Sequence, residues 1–81
     1  MYYVYAILSL TNKDLYIGYS HDLKQRFEEH NSGQVQSTKS KRPWKLVYYE
    51  TYNGKNLAIK QEMRLKMHAA KNELRDRLGL V

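Results

Sequence analysis

The 81-residue sequence contains no cysteine. That excludes a disulfide framework, a thiolate zinc site and a cysteine nucleophile, and it suits a reducing compartment. No apolar run approaches the roughly 20 residues of a membrane span. The start, Met1-Tyr2-Tyr3-Val4-Tyr5-Ala6, has no basic segment and soon meets Thr11-Asn12-Lys13-Asp14, so no signal peptide is expected. The expectation is a cytoplasmic protein with no membrane association. Repeats, low-complexity tracts and domain linkers are also missing. Phenylalanine occurs once, against eight tyrosines. Tyrosine packs with its ring while presenting a hydroxyl, so this bias favours surfaces that are both buried and polar. Acidic residues are few: 8 against 14 Lys and Arg, for a net charge of +6. A basic surface favours polyanions. With 42% hydrophobic residues, the length suits one small domain over residues 1–81, with one core.

Residues 2–10 and 15–20 read as strands rich in Tyr, Val, Ile and Leu, and Thr11-Asn12-Lys13-Asp14 is turn chemistry. A four-residue loop would pair position 10 with 15, 9 with 16 and 5 with 20. Side chains alternate along a strand, so Tyr5, Ile7, Tyr16 and Gly18 would share one face. A slip of one residue would separate the two tyrosines. Gly18 would leave room for a ligand or backbone to approach that face. Ser20 is the expected N-cap of a helix over 21–31, with Gly33 just past its end. Leu23, Arg26, Phe27 and His30 fall on one stripe of that helix. Two apolar residues turn the stripe toward the sheet and carry a cationic and a titratable group with them. Such groups are costly to bury unless they meet a partner or line a cleft.

Residues 34–45 form a polar, basic loop in which Lys39, Lys41, Arg42 and Lys45 surround Pro43 and Trp44. Residues 46–52 read as a third strand, ended by Asn53-Gly54. A helix over 55–68 follows, with Ala58, Glu62, Leu65 and Ala69 on one stripe. A shorter helix over 72–78 has Asn72 as a candidate cap and Gly79 as a stop. The expected class is α+β, a three-stranded antiparallel sheet covered by helices.

Phosphodiester hydrolysis needs an activated nucleophile, neutralisation of charge on phosphate and help for the leaving oxygen. Arg26 offers a permanently charged planar fork for phosphate oxygens. Glu62 offers one carboxylate to a hard divalent cation, which suits Mg²⁺ with its retained waters. Tyr5 or Tyr16 is a candidate general base, although an unperturbed phenol titrates at about 10. His30, one turn beyond Arg26, is a candidate proton acceptor. Each residue also has a purely structural reading. The tyrosines suit any strand. Arg26 can pair with Glu29 or with a carboxylate across the core, Glu62 with Lys66, and His30 can sit as a cation at the helix C-terminus. The basic loop can be a solvated connection. Joint placement on inward-facing stripes is what favours chemistry.

The order of segments resembles the GIY-YIG nuclease family, in particular its small stand-alone bacterial members, over about residues 2–78. The matching stretches are Tyr3-Val4-Tyr5, Leu15 through Ser20, Asp22-Leu23 through Arg26, Glu29 through Gly33, Lys41 through Tyr48, and Ala58 through Glu62 to Lys66. The resemblance implies an antiparallel three-stranded sheet flanked by helices and metal-dependent cleavage of nucleic acid. It implies Tyr5, Tyr16, Arg26, His30 and Glu62 as site residues, with Glu62 on the metal. Tyr3 departs from the family's Gly, and Tyr19 stands where several members carry a basic residue. Asn72 is a candidate for a late site asparagine. The leading expectation is a Mg²⁺- or Mn²⁺-dependent DNA endonuclease of low sequence specificity. Lys39, Lys41, Arg42 and Lys45 would contact phosphates, and Trp44 would stack on a base or simply pack. Branched and damaged DNA are among the candidate substrates. No small-molecule cofactor is expected, and an unidentified protein partner is left open. A non-catalytic nucleic-acid-binding module and a protein-interaction domain on the same fold are the alternatives.

Overall fold

A computed structural model describes residues 1–80. The chain runs β1 (Tyr2–Ser9), β2 (Leu15–Ser20), α1 (Leu23–Asn31), a short 3-10 turn (Lys39–Lys41), β3 (Trp44–Tyr52), α2 (Lys55–Leu65) and α3 (His68–Arg77). The strands form one antiparallel sheet in the order β2-β1-β3. The architecture is the expected α+β arrangement. Among the described residues, no helix is long and apolar enough to cross a membrane.

β1 is the central strand and is covered on both sides. Val4, Ala6 and Ile7 are fully buried and Tyr5 nearly so. A strand buried on both faces needs a continuous apolar run rather than alternation, which Tyr3 through Leu8 supplies. Val4, Ala6 and Leu8 join Leu15 and Ile17 beneath Ala58, Leu65 and Leu74 of α2 and α3. Tyr5 and Ile7 join Trp44 on the opposite face, with Tyr16, Leu23, Phe27 and Leu46 against them.

The β1-β2 register differs from the four-residue loop. Leu8 pairs with Leu15 and Tyr5 with Gly18, so the connection is Ser9 through Asp14. Ser9 draws the chain into the wider turn. Its buried hydroxyl donates to the Lys41 carbonyl at 2.7 Å and accepts from the backbone N–H groups of Thr11 and Asn12. The backbone N–H of Ser9 donates to the Asp14 carbonyl at 2.8 Å. Lys13 takes a left-handed conformation (φ 67°) to close the turn. The slip is two residues, so face parity survives and Tyr5, Ile7, Tyr16 and Gly18 do share a side.

β1 and β3 pair with a register shift between Ala6 and Ile7: Ile7 opposes Leu46, while Ala6 opposes Tyr48. This bulge turns both Val47 and Tyr48 toward the α2 and α3 face. Beyond it, Tyr49 stands directly opposite Tyr5, on the α1 face.

Three helix boundaries correct the sequence expectation. α1 begins at Leu23 and is capped by Asp22, whose side chain accepts from the Gln25 N–H at 3.1 Å. Ser20 instead shapes the preceding turn, donating to the Asp22 carbonyl and accepting from its N–H. At the other end Gly33 has φ 82°, and Gln34 N–H donates to the Glu29 carbonyl, closing the helix as expected. α2 ends at Leu65, and Met67 takes an extended conformation before α3 starts at His68. That turn brings Leu74 into the core beside Leu65. Asn72 therefore lies inside α3, exposed and bonded to His68, and caps nothing.

Candidate active site

Tyr5 sits at the middle of β1 with its ring pointing toward α1. Its hydroxyl lies 2.7 Å from His30 Nε2. Gly18 is its direct partner across the strand pair, and a Cβ there would fall 2.5 Å from the Tyr5 hydroxyl oxygen. The space left by Gly18 is thus taken by Tyr5 itself, not by a ligand.

His30 is fully buried, and the rings of Tyr5 and Tyr16 pack edge-on against it at 5.7 and 5.1 Å between centroids. Its Nδ1 lies 2.8 Å from the hydroxyl of Thr38, also fully buried. The inventory of donors sets the direction of this chain. Arg26 is near enough for its charge to lower the Tyr5 pKa against the effect of burial. The Tyr5 hydroxyl proton is directed at His30 Nε2. Nδ1–H then donates to Thr38, whose own hydroxyl turns to the Val35 carbonyl at 3.4 Å. His30 is neutral in this arrangement. Burial pushes its pKa down to about 4, and the nearby Arg26 adds to that. Burial likewise pushes Tyr5 up to about 12, against the pull of Arg26. The helix-capping cation is therefore not what His30 provides.

Thr38 and Asn31 complete the frame. The Thr38 carbonyl accepts from Trp44 Nε1 at 3.0 Å. The Asn31 side chain grips the Trp44 backbone twice, accepting from its N–H at 2.7 Å and donating to its carbonyl at 3.0 Å. The basic loop is thereby folded inward onto α1. Thr38 carried no mark in the sequence, being one polar residue in a polar loop. Trp44 starts β3 at 4% exposure, packed beside Tyr16, and has no open ring face for a base. Of its two expected roles, packing is the one it fills.

Arg26 is half-exposed and pairs with Glu29 at 2.9 Å. That carboxylate is the main cause of the raised Arg26 pKa. Glu62 comes from α2, 13% exposed, and pairs with Lys66 at 3.1 Å. Its charge reaches Tyr5 and, like that of Tyr16, pushes the phenol pKa upward. Tyr5, Tyr16, His30 and Arg26 are thus neighbours, with Glu62 within electrostatic range. A cleft of about 650 Å³ adjoins them, lined by Tyr2, Tyr19, Gln25, Arg26 and Lys55 among others. Arg26 is the one member of the set on its wall. Among the described residues no group of three or more His, Asp and Glu gathers around a metal position. A lone carboxylate does not fit a caged metal. It does fit Mg²⁺ or Mn²⁺ held by one carboxylate, waters and substrate phosphate.

The basic loop divides. Lys41 pairs with Asp14 at 2.7 Å and lowers its pKa, and Arg42 Nε donates to the Lys39 carbonyl at 2.8 Å. Lys39 and Lys45 are exposed and have no ion-pair partner among the described residues.

A family model for the GIY-YIG catalytic domain matches residues 1–75. UPF0213 proteins of Staphylococcus aureus strains Mu3 and N315 are 40% identical over 75 residues, covering 91% of this chain and 90% of their own. The solution NMR structure of a UPF0213 protein from Bacillus halodurans is similar with a TM-score of 0.56 and 26% identity, over 94% of this chain and 84% of that one.

Proposed function

The chain belongs to the GIY-YIG family, and on that premise we propose that it is a metal-dependent endonuclease hydrolysing DNA phosphodiester bonds with low intrinsic sequence specificity. One observation carries this reading: the half-exposed Arg26 stands within electrostatic range of a buried tyrosine whose hydroxyl is bonded to a neutral histidine. Its permanently charged fork is bonded only to Glu29 among the described residues and is open to solvent. It can exchange Glu29 for a phosphate oxygen at little cost, because that ion pair is partly solvated.

Each residue then has a task. Arg26 orients the scissile phosphate and neutralises its charge. Tyr5 is too deeply buried to meet a substrate broadly; its hydroxyl donates a hydrogen bond to His30 and fixes the imidazole beside Tyr16. Tyr16 is less buried and presents the second hydroxyl for activating the nucleophile. His30 Nε2 accepts the Tyr5 hydrogen bond and so positions both tyrosines, with Thr38 keeping the other ring nitrogen protonated. Glu62 would hold Mg²⁺ or Mn²⁺, which supplies further charge neutralisation on phosphate when bound. Lys66 is exposed and can swing away from Glu62 to admit it. Lys39 and Lys45 contact flanking phosphates, positioning the strand without reading sequence.

The test is incubation with supercoiled, single-stranded and branched DNA, with Mg²⁺ or Mn²⁺ and with chelator. Metal-dependent cleavage that disappears in Glu62→Ala supports the assignment. Cleavage that survives Glu62→Ala belongs to a contaminant and sinks it. Binding without cleavage on every substrate returns the protein to a binding module.

A further inference from the structure

We propose that the cleft between Tyr3, Tyr49 and α1 is a nucleobase pocket, which receives one base drawn out of its stack while the adjoining phosphate lies at Arg26. The proposal rests on the nuclease reading above and names how that site would grip its strand. The cleft measures about 480 Å³ and is walled by Tyr3, Tyr49, Phe27, Leu23 and Leu46, with Lys24 at its rim. Tyr3 and Tyr49 meet edge-on at 6.1 Å between centroids, and Tyr49 is 54% exposed. Aromatic rings left open in a basic protein are what a stacking platform requires, since every base offers a π-face.

Its position ties it to the Arg26 cleft. Tyr49 stands directly opposite Tyr5, and Tyr3 is two residues along the same strand, so all three side chains lie on one face. His21 and Asp22 line both clefts, so the two adjoin at the start of α1. The acidic members are Asp22, with one oxygen committed to the Gln25 N–H as the helix cap, and Glu29, paired with Arg26. The cations there, Lys24, Lys55 and Arg26, suit a polyanion, and the open aromatic rings beside them favour a nucleic-acid strand over an acidic peptide. Two features of this particular chain build the pocket. Tyr3 occupies the place where the family tripeptide begins with Gly, and the β3 bulge brings Tyr49 to this face. Trp44, the aromatic that stands out in the basic loop, is buried and does not compete for the role.

The test is binding of short single-stranded oligonucleotides carrying 2-aminopurine at each position in turn, with chelator present so that no cleavage occurs. The expected result is a position-dependent fluorescence change on binding. Tyr3→Ala and Tyr49→Ala should abolish that change and weaken binding roughly 5- to 100-fold. Tyr3→Phe and Tyr49→Phe should retain both. Thermal melts of each variant check that the fold persists. If the wild-type protein binds but the alanine variants bind and fluoresce as it does, the pocket is wrong and the nuclease assignment stands. If the wild-type protein binds none of these strands, the pocket is wrong, and the nuclease reading is decided separately by the cleavage assay on supercoiled and branched DNA.

Discussion

The Tyr5 hydroxyl lies 2.7 Å from Nε2 of His30, and the absent side chain of Gly18 is what lets it reach there. Three segments distant in sequence are locked together by this contact: the central strand, its hairpin partner and the end of α1. Neither Tyr5 nor His30 is charged at neutral pH, because burial opposes both charged forms.

Acid should destabilise the fold through His30. Its folded pKa of about 4 lies below the ordinary value of 6.5. As pH falls, the unfolded chain takes up the proton first. The contribution is complete above pH 6.5 and is lost as pH drops toward 4, amounting to about 3 kcal/mol over that window. Urea denaturation at pH 7, 5.5 and 4.5 should show this slope, and His30→Gln should flatten it. An equal slope in His30→Gln would assign the effect to other groups.

Gly18→Ala should cost about 1–3 kcal/mol, the usual range for overpacking a core. The added methyl meets the Tyr5 hydroxyl oxygen at 2.5 Å and Cζ at 2.7 Å. Tyr5→Phe in the same chain should therefore recover only part of the loss. Full recovery in the double variant would show that the hydroxyl alone makes the clash.

Thr38→Val should leave the His30 Nδ1–H without an acceptor in a buried position, a loss of about 1–3 kcal/mol. Thr38→Ser should behave as wild type. ¹⁵N NMR of the imidazole should find the proton on Nδ1 in the wild-type protein. A proton on Nε2 would reverse the direction of the Tyr5–His30–Thr38 chain.

Arg26→Lys and Glu62→Gln should each lower cleavage by about 10²–10³-fold, the scale for losing one preorganised charge-stabilising group. Arg to Lys replaces a planar fork with a point charge, so it is not a mild change here. Both side chains are partly exposed, so thermal melts should remain close to wild type. Unchanged turnover with Glu62→Gln would remove that residue from the site.

Trp44→Ala should unfold the protein by about 3–5 kcal/mol rather than weaken DNA binding selectively. Replacing Lys39 and Lys45 together should leave stability alone and flatten the dependence of log binding constant on log salt by about 2 units, a little less on single strands. A stable Trp44→Ala with reduced affinity would put the indole back at the interface.

Much of this molecule was legible from local chemistry. Alternating and continuous apolar runs marked the strands, and stripe arithmetic placed Arg26 and His30 on the side of α1 that faces the sheet. Parity placed Tyr5 with Tyr16, and it did so even though the hairpin register was off by two residues. The misplaced boundaries came from competing local bonds. Ser20 and Asp22 are both good caps, and only the geometry of the turn selects Asp22. Asn72 looked like a helix start because nothing nearby marked Met67 as the break.

The sequence by itself determined the elements, the basic charge and the residue types that can perform phosphodiester chemistry, because these depend on neighbours a few positions apart. Tertiary structure alone decided the rest. It filled the space at Gly18 with the Tyr5 hydroxyl, recruited Thr38 to His30 across the folded loop and buried Trp44 under Asn31 and Thr38. It also placed a bulge in β3 that turned Tyr49 toward Tyr5. Each of these joins residues from different segments, and such contacts exist only once the chain has closed on itself.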